Sequence, residues 1–109
     1  MVSTADLHKA LNAYMEGDDN RYTRGDWSVA KGGYDLIFEV YYKDTPVADY
    51  VRDRHDSTDK GELSVWGNFT QEEKDKIANC ICKTCDIDIS AIKRDGLEED
   101  LENDDLDDR

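Results

Sequence analysis

The stretch that decides the fold is YDLIFEVYYK, residues 34–43. Alternate side chains divide into two faces, with Tyr34, Leu36, Phe38, Val40 and Tyr42 on one and Asp35, Ile37, Glu39, Tyr41 and Lys43 on the other. The first face is apolar and the second is half polar. A period of two over ten residues is typical of a strand that buries one side, so we predict a central β-strand here.

The segments around this strand predict antiparallel partners for it. On the N-terminal side, a polar loop at residues 17–26 precedes a short strand containing Trp27 and Val29. On the C-terminal side the segments are KDTP (43–46), a turn; VADYVRDR (47–54), a returning strand; HDSTDKG (55–61), a second turn; and ELSVWG (62–67), a further strand. The sequence therefore predicts an antiparallel sheet of three or four strands.

One predicted helix precedes the strands along the chain, and a second predicted helix follows them. The first covers residues 3–16, with Ser3 or Thr4 as its cap and Gly17 as its stop signal. The second follows the capping box Thr70-x-x-Glu73. Residues 86–96 are compatible with a short strand or with a helical turn. We predict an α+β fold of two layers, with both helices on one sheet face and with Leu7, Leu11, Leu36, Phe38, Val40, Ile77 and Ile81 in the core.

Charge divides the chain into a body and a tail. The net charge is −13, and nine acids with a single base fall in residues 95–109. We predict one α+β domain at residues 1–95 and an acidic C-terminal tail at 96–109. A negative field repels nucleic acid and anionic membranes, and it attracts basic proteins.

Composition also bears on location and on chemistry. No apolar run is long enough to span a membrane, and no secretion signal begins the sequence, so we expect a cytoplasmic protein with reduced thiols.

On a helix, Cys80 and Cys82 would point about 200° apart, so they could not bind one metal ion together. This favours a structural role for Cys80, Cys82 and Cys85 over a metal site. We expect His8 and His55 to be exposed. We predict no cofactor, no metal and no enzymatic activity. A thiol- or metal-dependent function of the three cysteines is the alternative.

Acidic side chains are the candidate binding groups. Asp49 and Asp53, with Arg52 and Arg54 on the opposite face, are predicted to lie on a strand whose side chains repeat at a spacing close to that of DNA phosphates. An ordinary solvated sheet face is the alternative. The residues predicted to contact a partner are Asp49, Asp53, Asp56, Tyr41, Tyr50, Glu98, Glu99, Asp100, Asp104 and Asp105. The tail, with Leu97 and Leu101 one helical turn apart, either docks on a basic groove or remains solvated.

The charge and the order of elements resemble a known type of protein. With YDLIFEVYYKDTPVADYVRDR as a central hairpin, residues 3–85 resemble small acidic phage-encoded inhibitors of bacterial defence, the DNA-mimicking anti-CRISPR and anti-restriction proteins. The resemblance implies that the chain occupies the cationic groove of a bacterial CRISPR or restriction nuclease, in the bacterial cytosol. An accessory protein of a phage or mobile element, acidic only for solubility, is a further alternative.

Overall fold

The computed structural model describes residues 2–93. These residues form, in chain order, α1 Ala5–Glu16, β1 Arg21–Arg24, β2 Trp27–Lys31, β3 Leu36–Tyr42, β4 Thr45–Val51, β5 Glu62–Val65, α2 Gln71–Cys85 and a 3-10 helix at Ile89–Ala91. Each strand is antiparallel to its neighbour, and the sheet order is that of the chain, β1-β2-β3-β4-β5. The α+β class is confirmed, but this part of the chain holds five strands rather than three or four.

Both helices pack on one face of the sheet and against each other. Helix α1 lies over β1 and β2, and α2 lies beside it toward β5. The indole N–H of Trp27 donates to the backbone oxygen of Ser3 over 3.1 Å, and the ring of Tyr14 meets the ring of Phe38 edge-on. The predicted core residues that are buried in one cluster are Leu7, Leu11, Phe38, Val40, Ile77 and Ile81.

The two helices begin with different caps. At α2 the predicted capping box is confirmed, because the Thr70 hydroxyl accepts from the Glu73 backbone N–H over 3.1 Å and a Glu73 carboxylate oxygen accepts from the Thr70 N–H over 3.0 Å. The second oxygen of Glu73 accepts from the Val2 N–H, which fixes the start of the described chain against α2. At α1 the Ser3 hydroxyl accepts from the Ala5 N–H over 3.3 Å, and the Thr4 side chain makes no cap.

A bulge in β3 changes the face on which Leu36 lies. Leu36 pairs with Val51, whereas Phe38 pairs with Tyr50, so Ile37 is an extra residue in the ladder. The partners of Leu36 and Phe38 are consecutive residues and therefore point to opposite faces. The prediction that Leu36 belongs to the core is wrong for this reason. Tyr34, predicted on the same buried face, precedes β3 and is exposed.

The β3–β4 turn is tighter than the sequence suggested. Lys43 and Asp44 both have positive φ, 51° and 65°, between the paired residues Tyr42 and Thr45. This is the two-residue type I′ geometry whose twist matches that of the flanking strands. The turn is therefore Lys43-Asp44, and Pro46 already belongs to β4, outside the stretch that pairs with β5.

Strand β1 lies inside the segment predicted to be a polar loop. Its residues pair with β2 in register, from Arg21 opposite Ala30 to Arg24 opposite Trp27. Since β1 is an edge strand, only Tyr22 of its four side chains is partly buried. An edge strand with three exposed side chains lacks the apolar alternation by which β3 was recognised.

Strand β4 ends before the second predicted carboxylate. It stops at Val51, so the prediction that Asp49 and Asp53 share one strand is wrong, and Asp53 lies in the loop at residues 52–61. Farther along, the ambiguous segment contains the 3-10 helix, followed by a parallel bridge between Ile92 and Leu63. The backbone N–H of Lys93 donates to the Leu63 oxygen over 2.7 Å, so the described chain ends beside β5. Residues 94–109, with the predicted tail, lie outside the described residues.

Candidate protein-binding face

The sheet has one face that neither helix covers, and we call it the open sheet face. Its members are set by the pairing register, which places side chains of directly opposed residues on the same side. They are Arg21, Thr23, Ser28, Ala30, Leu36, Glu39, Tyr41, Pro46, Asp49, Val51, Glu62 and Ser64. The alternate residues of the same strands point to the helices and form the core.

Two carboxylates oppose each other at the centre of the open sheet face. Glu39 of β3 pairs directly with Asp49 of β4, in a row that begins at Arg21 of β1, passes through Ala30 and ends at Ser64. Burial raises the pKa of Asp49 above its ordinary value, the carboxylates of Glu39 and Glu62 raise it further, and Lys93 lowers it. Like charges directly opposite each other destabilise a sheet. The fold therefore maintains a concentration of negative charge that it does not need for its own stability.

Tyr41 is ordered beside this carboxylate pair. Its hydroxyl donates to a carboxylate oxygen of Glu39 over 3.2 Å, and the guanidinium of Arg21 lies 4.5 Å from the centre of its ring. Burial, followed by the charge of Glu39 and the hydrogen bond to it, raises the pKa of Tyr41, so its hydroxyl stays protonated at neutral pH. The aromatic ring and the two carboxylates thus form one fixed surface.

The predicted binding residues divide into four groups, one of which is the loop pair of Asp53 and Asp56. Asp49 and Tyr41 lie together on the open sheet face. Tyr50 points to the helices, is only 8% exposed, and donates its hydroxyl proton to the Lys60 backbone oxygen over 2.6 Å. A partner cannot reach it, so the expectation of an aromatic anchor at Tyr50 is withdrawn. The tail residues Glu98, Glu99, Asp100, Asp104 and Asp105 lie outside the described residues.

Asp53 and Asp56 lie in the 52–61 loop and hold its turns. A carboxylate oxygen of Asp53 accepts from the His55 N–H, and one of Asp56 accepts from the Thr58 N–H, each over 2.9 Å. Asp59 accepts from the backbone N–H groups of Asp53 and Gly61. The Thr58 hydroxyl, which donates to Asp56 over 2.6 Å, and then the Thr58 N–H lower the pKa of Asp56, and the two backbone hydrogen bonds lower the pKa of Asp59. Both Asp53 and Asp56 are exposed, so they present charge while they order the loop, but they do not extend the row on the sheet.

Two acidic residues of the open sheet face were missing from the predicted binding set. Glu39 was assigned correctly to the half-polar side of its strand, but its pairing with Asp49 depends on the register between two strands. Glu62 comes close to Asp49 for the same reason, since it begins β5 opposite Val51. The alternation of side chains along β3 and β4 was visible in the sequence. It does not show which residues of neighbouring strands lie opposite each other, so it could not identify this cluster.

The cysteines have the surroundings of structural thiols. Cys82 is buried, and burial is the largest cause of the raised pKa of all three thiols, with Cys85 reaching about 12. A nucleophilic or metal-binding cysteine needs a lowered pKa, because the thiolate is the reactive form. Among residues 2–93, no three His, Cys, Asp or Glu side chains are grouped so that they could hold a metal ion.

Both histidines are exposed, as expected, and His8 is bound to its neighbours. Its Nδ1 lies 2.8 Å from the Thr84 hydroxyl and its Nε2 lies 3.0 Å from the Asn12 amide nitrogen, so it joins α1 to α2.

Within the described chain, no helix is long and apolar enough to cross a membrane.

No family model matches this sequence, and no curated protein and no solved structure matches it significantly. A function for the chain therefore has to be inferred from the chemistry of its own surface. The opposed carboxylates of the open sheet face do not stabilise the fold, so they and Tyr41 beside them are the candidate site for a partner.

Proposed function

We propose that this protein is a non-enzymatic inhibitor that binds a basic, nucleic-acid-binding protein through a DNA-like acidic surface. A bacterial CRISPR or restriction nuclease, met in the bacterial cytosol, is the favoured target. The observation that carries the proposal is the direct opposition of Glu39 and Asp49 on a sheet face that no helix covers. A partner whose lysine or arginine side chains normally meet phosphates would offset the repulsion between these carboxylates.

The charge of the rest of the chain supports the same partner. A net charge of −13 attracts a basic surface from a distance and repels nucleic acid. The exposed carboxylates of Asp53 and Asp56, and the acids of residues 96–109, add to this attraction. Tyr41 supplies an aromatic side chain of the kind that is enriched in binding hot spots.

The two alternative functions, a thiol- or metal-dependent activity and acidity for solubility alone, require different properties of the protein. A thiol- or metal-dependent function needs accessible, acidic thiols, and burial has the opposite effect on these cysteines. A protein that is acidic only for solubility does not depend on where its charge lies. Moving charge without changing its total therefore separates this last alternative from the proposal.

The test is inhibition of DNA cleavage by purified nucleases, a set of type II CRISPR nucleases with guide RNA and a set of restriction enzymes. We expect inhibition at low salt that weakens steeply between about 50 and 200 mM, because counterions screen the attraction. DNA bound beforehand should block it. Absence of inhibition of every nuclease at low salt, or inhibition that is independent of salt and of bound DNA, would overturn the proposal.

Two double variants that remove the same charge test whether inhibition depends on the open sheet face. The double substitution Glu39→Gln and Asp49→Asn should weaken inhibition by at least about tenfold, because it removes the central charges of the face. The control is Asp18→Asn with Asp19→Asn, which removes the same charge from an exposed loop between α1 and β1. Equal losses in both double variants would show that only total charge matters, which is the result the solubility alternative predicts.

A further inference from the structure

The turn between β2 and β3 presents an aromatic side chain that the fold does not use. Tyr34 is 95% exposed, and its φ is 55°. A bulky residue in the left-handed region is a rare outlier, because its Cβ crowds the following carbonyl oxygen. Glycine would adopt this conformation without strain, and glycine stands immediately before it at Gly33. The presence of tyrosine here therefore calls for a reason other than folding.

The backbone holds this turn in place from both sides. Within the turn, the Leu36 N–H donates to the Gly33 oxygen and the Gly32 N–H donates to the Ile37 oxygen, each over 3.0 Å. Just after β4, the Arg52 N–H donates to the Asp35 oxygen over 2.8 Å. The Tyr34 ring is thus carried on an ordered support, which lowers the entropy that a binding partner must remove.

Tyr34 stands two residues before β3, the strand that carries Glu39. From its start, β3 contributes first the apolar pair of Leu36 with Val51 and then the pair of Glu39 with Asp49 to the open sheet face. The turn that carries the exposed ring is therefore joined to the carboxylate pair by a short stretch of one strand.

We infer that Tyr34 occupies in the partner the place of an unpaired nucleobase, while Glu39 and Asp49 meet cations that otherwise bind phosphates. This inference rests on the proposed function and restricts the class of partner to proteins that hold an unpaired base. Proteins that hold single-stranded or extruded nucleotides stack each base on aromatic, apolar or arginine side chains, and a phenol ring has the flat face that such a site accepts. Proteins that read only the grooves of duplex DNA have no such site. The partner is therefore a protein that holds an unpaired base.

The experiment adds this protein to purified proteins of the two classes before a fluorescent oligonucleotide, and measures displacement as the loss of oligonucleotide binding. The first class comprises an OB-fold single-strand-binding protein, a base-flipping glycosylase and a type II CRISPR nuclease with guide RNA, which holds a displaced strand. The second is a helix-turn-helix repressor on its duplex operator. We expect displacement from at least one member of the first class and none from the repressor. Displacement from the repressor alone would overturn the inference.

Variants of Tyr34 give the second measurement, on whichever protein is displaced. Tyr34→Ala should weaken binding roughly tenfold, chiefly by faster dissociation, because stacking on one base is lost. Tyr34→Phe should stay within about threefold of the natural chain, since it keeps the flat ring. Met15→Ala is the control, because Met15 is another large exposed side chain, at 53%, near the end of α1.

The outcomes separate this inference from the proposed function. If Tyr34→Ala binds like the natural chain while the Glu39→Gln and Asp49→Asn double variant binds weakly, the base-like role is overturned and the acidic face stands. If no protein of either class is displaced at low salt and no nuclease of the cleavage test is inhibited, both are overturned. Folding is controlled by thermal unfolding, in which Tyr34→Gly should melt above Tyr34→Ala, because only glycine relieves the left-handed strain.

Discussion

Asp49 has an unfavourable position in the free protein. Its carboxylate is partly buried, faces the carboxylate of Glu39 across the strand pair, and has a raised pKa from burial and from its acidic neighbours. A carboxyl whose pKa rises on folding binds its proton more tightly in the folded state. Its charge therefore lowers the free energy of unfolding at pH values above the folded-state pKa. Local rules of sheet stability are violated here, as they commonly are where a surface is kept for binding.

Asp49→Asn should therefore stabilise the free protein at neutral pH while it weakens partner binding. We expect an increase of about 0.5 kcal/mol in the free energy of unfolding at pH 7, the usual size of a cross-strand charge effect. The advantage should disappear as the pH falls below the ordinary value of 3.8, because the natural carboxyl is then protonated in both states. Denaturant unfolding at a series of pH values measures this. Asp18→Asn serves as the control on an exposed loop, and a loss of stability in Asp49→Asn at pH 7 would contradict the argument.

Helix α2 carries all three cysteines, and its packing decides their chemistry. The stripe of Ile77 and Ile81 faces the core, and the same packing buries Cys82 and partly covers Cys80 and Cys85. Ala78 and Cys82 are the other fully buried residues, since α1 and β5 cover the helix from two directions.

Native α2 should protect its thiols from alkylation. With a pKa of about 12, against an ordinary value of 9.0, Cys85 carries far less thiolate at pH 8 than an unfolded cysteine does. We expect its reaction with iodoacetamide to be about a hundredfold slower in the native protein than in guanidinium chloride. Peptide mass spectrometry of quenched samples resolves the three sites. Alkylation of Cys85 that is as fast in the native as in the unfolded protein would support the thiol-dependent alternative instead.

The whole molecule combines the described residues, 2–93, with a C-terminal segment of concentrated charge. One buried core cluster of the described residues extends from Leu7 to Ala91. Residues 96–109 contain eight of the 27 acidic side chains. Their charge adds to the long-range attraction of a basic partner, and this attraction acts mainly on the rate of association.

Deletion of residues 96–109 should leave the melting temperature nearly unchanged and slow association with a basic partner by about tenfold at low salt. Thermal unfolding and surface-based binding kinetics measure the two effects. The control is Leu97→Ala with Leu101→Ala, which keeps the charge and should raise the dissociation rate only if the segment packs on the partner. Lost folding would show that the C-terminus is structural. Unchanged binding would assign the interface to the open sheet face alone.

The sequence by itself determined the features that are encoded within a few neighbouring residues. Thr70 and Glu73 form their capping box from a four-residue pattern, and Phe38 and Val40 are buried as the alternation of their strand predicted. The α+β class followed from such local periods, because each period fixes the type of one element. The acidic character of the surface was equally clear from composition.

Only the tertiary structure decided what depends on pairing between distant residues. The polar β1 is a strand because β2 satisfies its backbone, and one bulge moves Leu36 to the open sheet face. The central pair of Glu39 and Asp49 exists because the register of β3 with β4 places them opposite each other. A shift of one residue turns every side chain of a strand to the other face. Register results from the packing of the whole sheet, so no local stretch of sequence contained the candidate site.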